Sequence, residues 1–197
     1  MPNLRSVLLT LALAASAPLA MASPNLITNG DFETGDLTGW TKVGAIGEQY
    51  VSTDFYGSPL ARSGYAYYDG TTVGLGTLSQ TVATVAGAIY TLSFDLQRIN
   101  SGGPNTLDNQ VKVSFGGVTL MDESNASGDW ATVSFSGLTA SAASSVLQFS
   151  LHNYYDYTGI DNVTLVMTAV PEPTMAIMLA AGLILLVRRR DKRPPPF

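Results

Sequence analysis

From Tyr90 to Leu96 the chain alternates: Tyr90, Leu92, Phe94 and Leu96 are apolar, while Thr91, Ser93 and Asp95 are polar. A period of two puts the apolar set on one face of a strand and the polar set on the other. The pattern returns at Ser79–Ala83, which a turn at Ala86-Gly87 separates from Tyr90. It returns again at Val111, Val113 and Phe115, where Gly116-Gly117 fits a tight hairpin into Val118–Met121. Trp130–Ser136, Val146–Leu151 and Ile160–Met167 complete the series. No long stretch of this middle region has helical period, and Gly, Thr, Ser, Val and Tyr are frequent in it. Short strands at regular spacing predict an all-β fold, a two-sheet β-sandwich domain over residues 23–169. Asn100–Asn109 reads as a loop, and the small-residue run Ser136–Ser145 as a turn region.

The two ends are of another kind. Met1–Ala22 has the build of a secretory signal peptide (residues 1–22): Arg5, an apolar core over Val7–Ala17, and Ala20-Met21-Ala22 before a cut that leaves Ser23 first. Residues 170–197 hold three parts in order. Pro171-Glu172-Pro173 forbids a helix, and Thr174–Val187 is apolar and uncharged. Arg188, Arg189 and Arg190 then open a basic end. The apolar run would extend about 21 Å as a helix, short of a ~30 Å hydrocarbon core, and snorkelling arginines make up part of the deficit. The expectation is a single C-terminal transmembrane helix (174–187), with the arginines cytoplasmic and the body outside.

Charge narrows the function. Between Ser23 and Val170 the only basic residues are Lys42, Arg62, Arg98 and Lys112, against thirteen acidic ones. So acidic a body speaks against nucleic acid as a partner, because that contact requires a basic surface. The chain has no cysteine, which removes disulfides, thiol nucleophiles and thiolate metal sites. His152 is the only histidine and has no nucleophile-elbow serine near it in sequence. No phosphate-cradling loop or zinc signature appears. These readings point to a non-catalytic protein. Carboxylates are plentiful enough that glycan cleavage by an acid–base pair stays open as a third-ranked alternative.

The tail resembles the PEP-CTERM sorting signal, with Pro171-Glu172-Pro173, the hydrophobic helix and Arg188–Arg190 in the family's order. That resemblance implies an exosortase-type membrane processing enzyme as a partner. It also implies anchoring in the inner membrane until processing, and a destination at the cell envelope, surface or extracellular matrix of a bacterium that makes exopolysaccharide and biofilm.

The body carries a second resemblance. Asn25-Leu26-Ile27, Asn29-Gly30-Asp31-Phe32-Glu33 and Gly39-Trp40 look like the opening of jelly-roll carbohydrate-binding modules of the galactose-binding-like superfamily. Leu78–Val82 with Tyr90–Phe94, Trp130–Gly137 and Gly159–Leu165 resemble the central pair, a later strand and the closing strand of those modules. The resemblance implies a jelly-roll fold and a glycan or exopolysaccharide ligand. It also implies a structural calcium ion (Ca2+), held in part by Glu33 and Asp161. Calcium takes six to eight oxygens, and glycine-rich loops expose the carbonyls that would complete the set. The bland alternative makes both residues turn or capping groups.

A flat ring on an exposed sheet can stack on a sugar while amide and acidic groups bind its hydroxyls. Tyr65 and Tyr67 share one face of a short strand, and Tyr68 points the other way. Asn153, Tyr155 and Asp156 form a second candidate group, within the run that ends at Tyr157. Trp40, Tyr90 and Trp130 are expected to pack the sandwich. For the two tyrosine groups, sugar stacking and core packing both stay open. If every ring packs, the body is a structural envelope or adhesion sandwich with no sugar site.

Overall fold

The computed structural model describes residues 23–44, 46–53, 64–100 and 107–169. The expectations for residues 1–22 and 170–197, and most of the Asn100–Asn109 loop, lie outside these. Every regular element among the described residues is a strand: β1 (Thr41–Val43), β2 (Ile46–Ser52), β3 (Ala66–Val73), β4 (Gly76–Ala83), β5 (Ile89–Arg98), β6 (Asn109–Phe115), β7 (Val118–Ser124), β8 (Gly128–Thr139), β9 (Ser144–Asn153) and β10 (Thr158–Ala169). They form two antiparallel five-stranded sheets, ordered β1-β4-β9-β6-β7 and β2-β3-β10-β5-β8. The chain changes sheet after β1, β3, β4, β5, β7, β8 and β9, so the fold is a jelly-roll-like sandwich.

The core lies where the period-two pattern puts it. Tyr90, Leu92, Phe94 and Leu96 of β5 face Val111, Val113 and Phe115 of β6 and Leu147, Phe149 and Leu151 of β9, all of them buried. Phe94 and Phe149 meet edge to face across the interlayer, with ring centroids 5.1 Å apart. Each such ring contributes about 1.5–3 kcal/mol by leaving water. The Gly116-Gly117 hairpin is present: Phe115 pairs with Val118, and both glycines have positive φ, at 56° and 83°. A type I′ turn requires those signs.

Before β1 the chain lies along β10. The Leu26 N–H donates to the Leu165 carbonyl (2.9 Å), the Val163 N–H to that of Gly30 (2.8 Å), and the Leu165 N–H to Asn25 Oδ1 (2.9 Å). Phe32 then enters the core and stacks between Trp40 (5.6 Å) and Tyr67 (6.0 Å).

One sequence expectation shifts, and two strands are new. Ser136–Thr139 is the end of β8 and Ser144-Ser145 the start of β9, so only residues 140–143 connect them. β8 is an edge strand with mostly exposed side chains, and small polar residues there mimic a turn. β1 and β2 were not foreseen. β1 is three exposed residues long, and β2 is an edge strand starting with exposed residues, so neither has a clear alternation.

Candidate functional site

The outer face of the second sheet carries its own small aromatic cluster. Ala66, Tyr68 and Tyr157 are buried there, with Tyr50, Ile99 and Trp130 packed against them. Two glycines allow this. A Cβ at Gly159 would stand 2.7 Å from the Trp130 ring, and one at Gly70 2.7 Å from the Tyr157 ring. The backbone therefore serves as the seat for both rings, which is one reason for glycine inside a strand. Tyr50 meets Tyr68 (5.7 Å) and Tyr157 (5.6 Å), and Tyr68 meets Trp130 (6.5 Å).

At one end of this row the β9–β10 connection folds over the starts of β2 and β10. The Asn153 side chain is buried, and its Oδ1 accepts the Asp156 N–H at 3.1 Å. Asp156 Oδ1 in turn accepts the Tyr157 N–H, also at 3.1 Å. These two bonds hold a tight bend that turns the preceding side chains outward. Tyr154 and Tyr155 are 51% and 57% exposed, and their rings meet edge to face at 4.8 Å. They rim a cleft of about 240 Å³ whose other walls include Glu48, Thr72, Asp156 and Tyr157. The Tyr157 hydroxyl donates to Glu48 Oε2 at 2.7 Å, tying the connection to the edge strand β2.

Asn153, Tyr155 and Asp156 are thus brought together, with Asn153 shaping the loop from beneath. Tyr65 and Tyr67 belong elsewhere. Tyr67 is fully buried in the main core, stacked on Phe32, and its hydroxyl donates to Asp69 Oδ2 at 2.8 Å. A ring with neither face open stacks on no sugar, so Tyr67 is a core residue. Burial, and then the Asp69 charge, push its phenol far above the ordinary range. Tyr65 is half-buried against the same core, with its ring next to Gly35. Tyr68 faces the outer cluster, so the opposed facing of Tyr67 and Tyr68 is as the alternation requires. Trp40 and Tyr90 pack the core. Trp130 packs too, but on the outer face of the sheet.

Glu33 and Asp161 come within electrostatic reach of each other. Asp161 is buried, and its carboxyl is pushed up to about 7. Burial is the main cause, opposed by the Asn162 N–H; the charges of Asp95, Glu33 and Asp31 raise it further. The Glu33 carboxylate rests on the backbone at Gly64, where a Cβ would stand 1.9 Å from Oε1, and that oxygen accepts the Tyr65 N–H at 2.9 Å. Among the described residues no three His, Cys, Asp or Glu side chains converge as a side-chain metal site requires. A cation here would take part of its shell from backbone carbonyls.

A further cleft of about 400 Å³ opens at the same end of the sandwich, on the β5–β8 side. Gln97, Arg98, Ile99, Ser127, Gly128 and Asp129 line it. Sequence reasoning missed it. Gln97 occupies a polar position in the alternation of β5, and nothing in the pattern says that such a side chain is buried.

Comparison with known proteins bears on the fold. No protein-family model matches the sequence, and no curated protein matches it. Solved structures do match. A family 61 carbohydrate-binding module, TmCBM61, seen in complex with β-1,4-galactotriose, is 23% identical with a TM-score of 0.56, over 74% of this chain and 99% of that one. The CBM22-1 xylan-binding domain of Paenibacillus barcinonensis Xyn10C is 16% identical with a TM-score of 0.52, over 77% and 99%. The K3 cleaved adhesin domain of Lys-gingipain from Porphyromonas gingivalis is 15% identical with a TM-score of 0.52, over 71% and 98%. The body therefore has the sandwich fold of carbohydrate-binding modules.

Proposed function

We propose that the body is a non-catalytic glycan-binding module, displayed outside the cytoplasm and sorted through its C-terminal tail. The observation that carries the reading is the Tyr154–Tyr155 pair: two rings more than half exposed, at the rim of a cleft with carboxylates in its wall. An exposed ring beside fixed acceptors suits a sugar, which offers an apolar face and a rim of hydroxyl donors. The matched modules that bind galactotriose and xylan lend the fold a precedent for this use. Tyr155 would stack, with Asp156 and Glu48 accepting hydroxyls and Asn153 holding the bend. Tyr65, further round the sandwich, has less open surface and a smaller part.

The finer readings belong to the same proposal. The Pro171-Glu172-Pro173 tail would hand the chain to an exosortase-type enzyme, with the 174–187 helix as its membrane anchor until processing. A calcium ion would sit between Glu33 and Asp161. In its support, the Glu33 carboxylate lies in a backbone cradle, and Asp161 is a buried acid whose charge needs a counter-ion.

The test is calorimetric titration of the full chain, purified in mild detergent, with β-1,4-galactotriose, xylo-oligosaccharides and the producing bacterium's exopolysaccharide. Saturable binding that Tyr155→Ala weakens at least about tenfold, with folding intact, supports the module. Absence of binding to every probe leaves a structural sandwich and ends the glycan reading.

A further inference from the structure

Gln97 is 6% exposed, and its Oε1 has no hydrogen-bond donor among the described residues. A buried acceptor without a donor costs free energy that a native fold rarely leaves unanswered. Gln97 lines the cleft between the end of β5 and the start of β8, where a rotation of its side-chain amide would bring this acceptor to a ligand. Of the charged groups there, Arg98 is already committed to Glu123, and Asp129 is exposed and acidic. With Asn100 and Ser127 they make a polar wall of amide, hydroxyl and balanced charge that suits a neutral ligand bearing several hydroxyls.

We infer that this cleft is a second neutral-glycan site, and that the module is bivalent and cross-links polysaccharide chains. The inference rests on the glycan-binding reading above. The two clefts have no lining residue in common. In the sheet order β2-β3-β10-β5-β8 the first lies on the β2–β3 side and the second on the β5–β8 side. The two linings adjoin where the Ile99 N–H of the second donates to the Tyr157 carbonyl of the first at 2.9 Å. On this inference a short oligosaccharide fills one cleft at a time, and a long polymer shared between two modules becomes a junction. Each module that engages two chains adds avidity without any new contact.

The experiment measures stoichiometry and cross-linking with the full chain in detergent. The probes are galacto- and xylo-oligosaccharides, then their parent galactan and xylan. The expected result is two short-oligosaccharide sites per chain, and turbidity that rises and falls with the protein-to-polymer ratio. Gln97→Leu should remove one site and the turbidity. Its Tm should stay level or rise by about 2–4 °C, because the orphan acceptor is gone. Tyr155→Ala should remove the other site. A single site that Gln97→Leu leaves untouched overturns bivalency while the glycan reading stands. So does the loss of all short-oligosaccharide binding in either single variant, which marks one continuous groove. If no probe binds at all, both the reading and this inference fall.

Discussion

The Tyr157 hydroxyl and the Glu48 carboxylate, 109 residues apart in sequence, meet at 2.7 Å and join the β9–β10 bend to the edge strand β2. This bond closes one side of the cleft beneath Tyr154 and Tyr155. Tyr157→Phe removes it and keeps the ring on Gly70. A hydrogen bond to a charged acceptor is worth about 1.5–3 kcal/mol, less when partly exposed, so we expect a loss of about 1 kcal/mol in chemical denaturation. Oligosaccharide affinity should fall more than the stability change explains, because the cleft wall is freed. Equal affinity in Tyr157→Phe and the parent would remove Glu48 from the binding surface.

Asp161 ties stability to pH. Its native carboxyl titrates near 7, above the usual carboxylate range. Between about pH 4 and pH 7 the unfolded chain has released a proton that the native chain keeps, so stability falls as pH rises through that window and levels off above it. Asp161→Asn should flatten this slope, raising stability at pH 8 by about 1–3 kcal/mol. Calcium at Glu33 and Asp161 requires the ionised acid. It should therefore raise Tm at pH 8 and have little effect at pH 5, with no response in Asp161→Asn. A calcium-independent Tm at pH 8 rules the cation out. An unchanged pH slope in the variant assigns the titration to another group.

The Gly159 seat makes a spectroscopic prediction. Ala at this position puts a methyl group into the Trp130 ring and must displace it. Overpacking of this kind costs about 1–3 kcal/mol. The chain has two tryptophans, and Trp40 is buried in the other cluster. Only the Trp130 component of the emission should shift to the red. A spectrum identical to the parent's would contradict the packing of Trp130 on Gly159.

The interlayer contact of Phe94 and Phe149 is the reference for the core. Phe149→Ala leaves a cavity against Phe94 and Trp40 and should cost about 3–5 kcal/mol in thermal or chemical unfolding. A loss below about 1 kcal/mol would mean that the sheets do not pack there.

Much of the sandwich could be read from the sequence because β4, β5, β6, β9 and β10 each bury one face, and burial imposes the period of two. Edge strands lack that constraint, which hid β1 and β2 and made the end of β8 look like a turn. The candidate site was half legible. Asn153, Tyr155 and Asp156 are neighbours in sequence, so one tight bend suffices to gather them. Tyr67 was ambiguous because the alternation says that a side chain shares a face with Tyr65 without saying whether that face is the core. Glu48, Tyr157 and Gln97 depend on long-range pairing, and no local pattern reports it.

One strand sets the geometry of display. β10 begins at Thr158, beside the Tyr155 cleft, and ends at Ala169, a run of twelve residues. At about 3.3 Å per residue that is at most roughly 36 Å of hydrogen-bonded chain, bent at irregularities between Asp161 and Thr164 and between Met167 and Ala169. The cleft and Ala169 therefore lie at the two ends of this strand. A protein held from its C-terminal side, as the proposed sorting requires, stands like a mast, its tyrosines lifted clear of the surface that holds it. Length and stiffness of β10, more than any contact in the cleft, would then decide how deep into a surrounding matrix the module can reach.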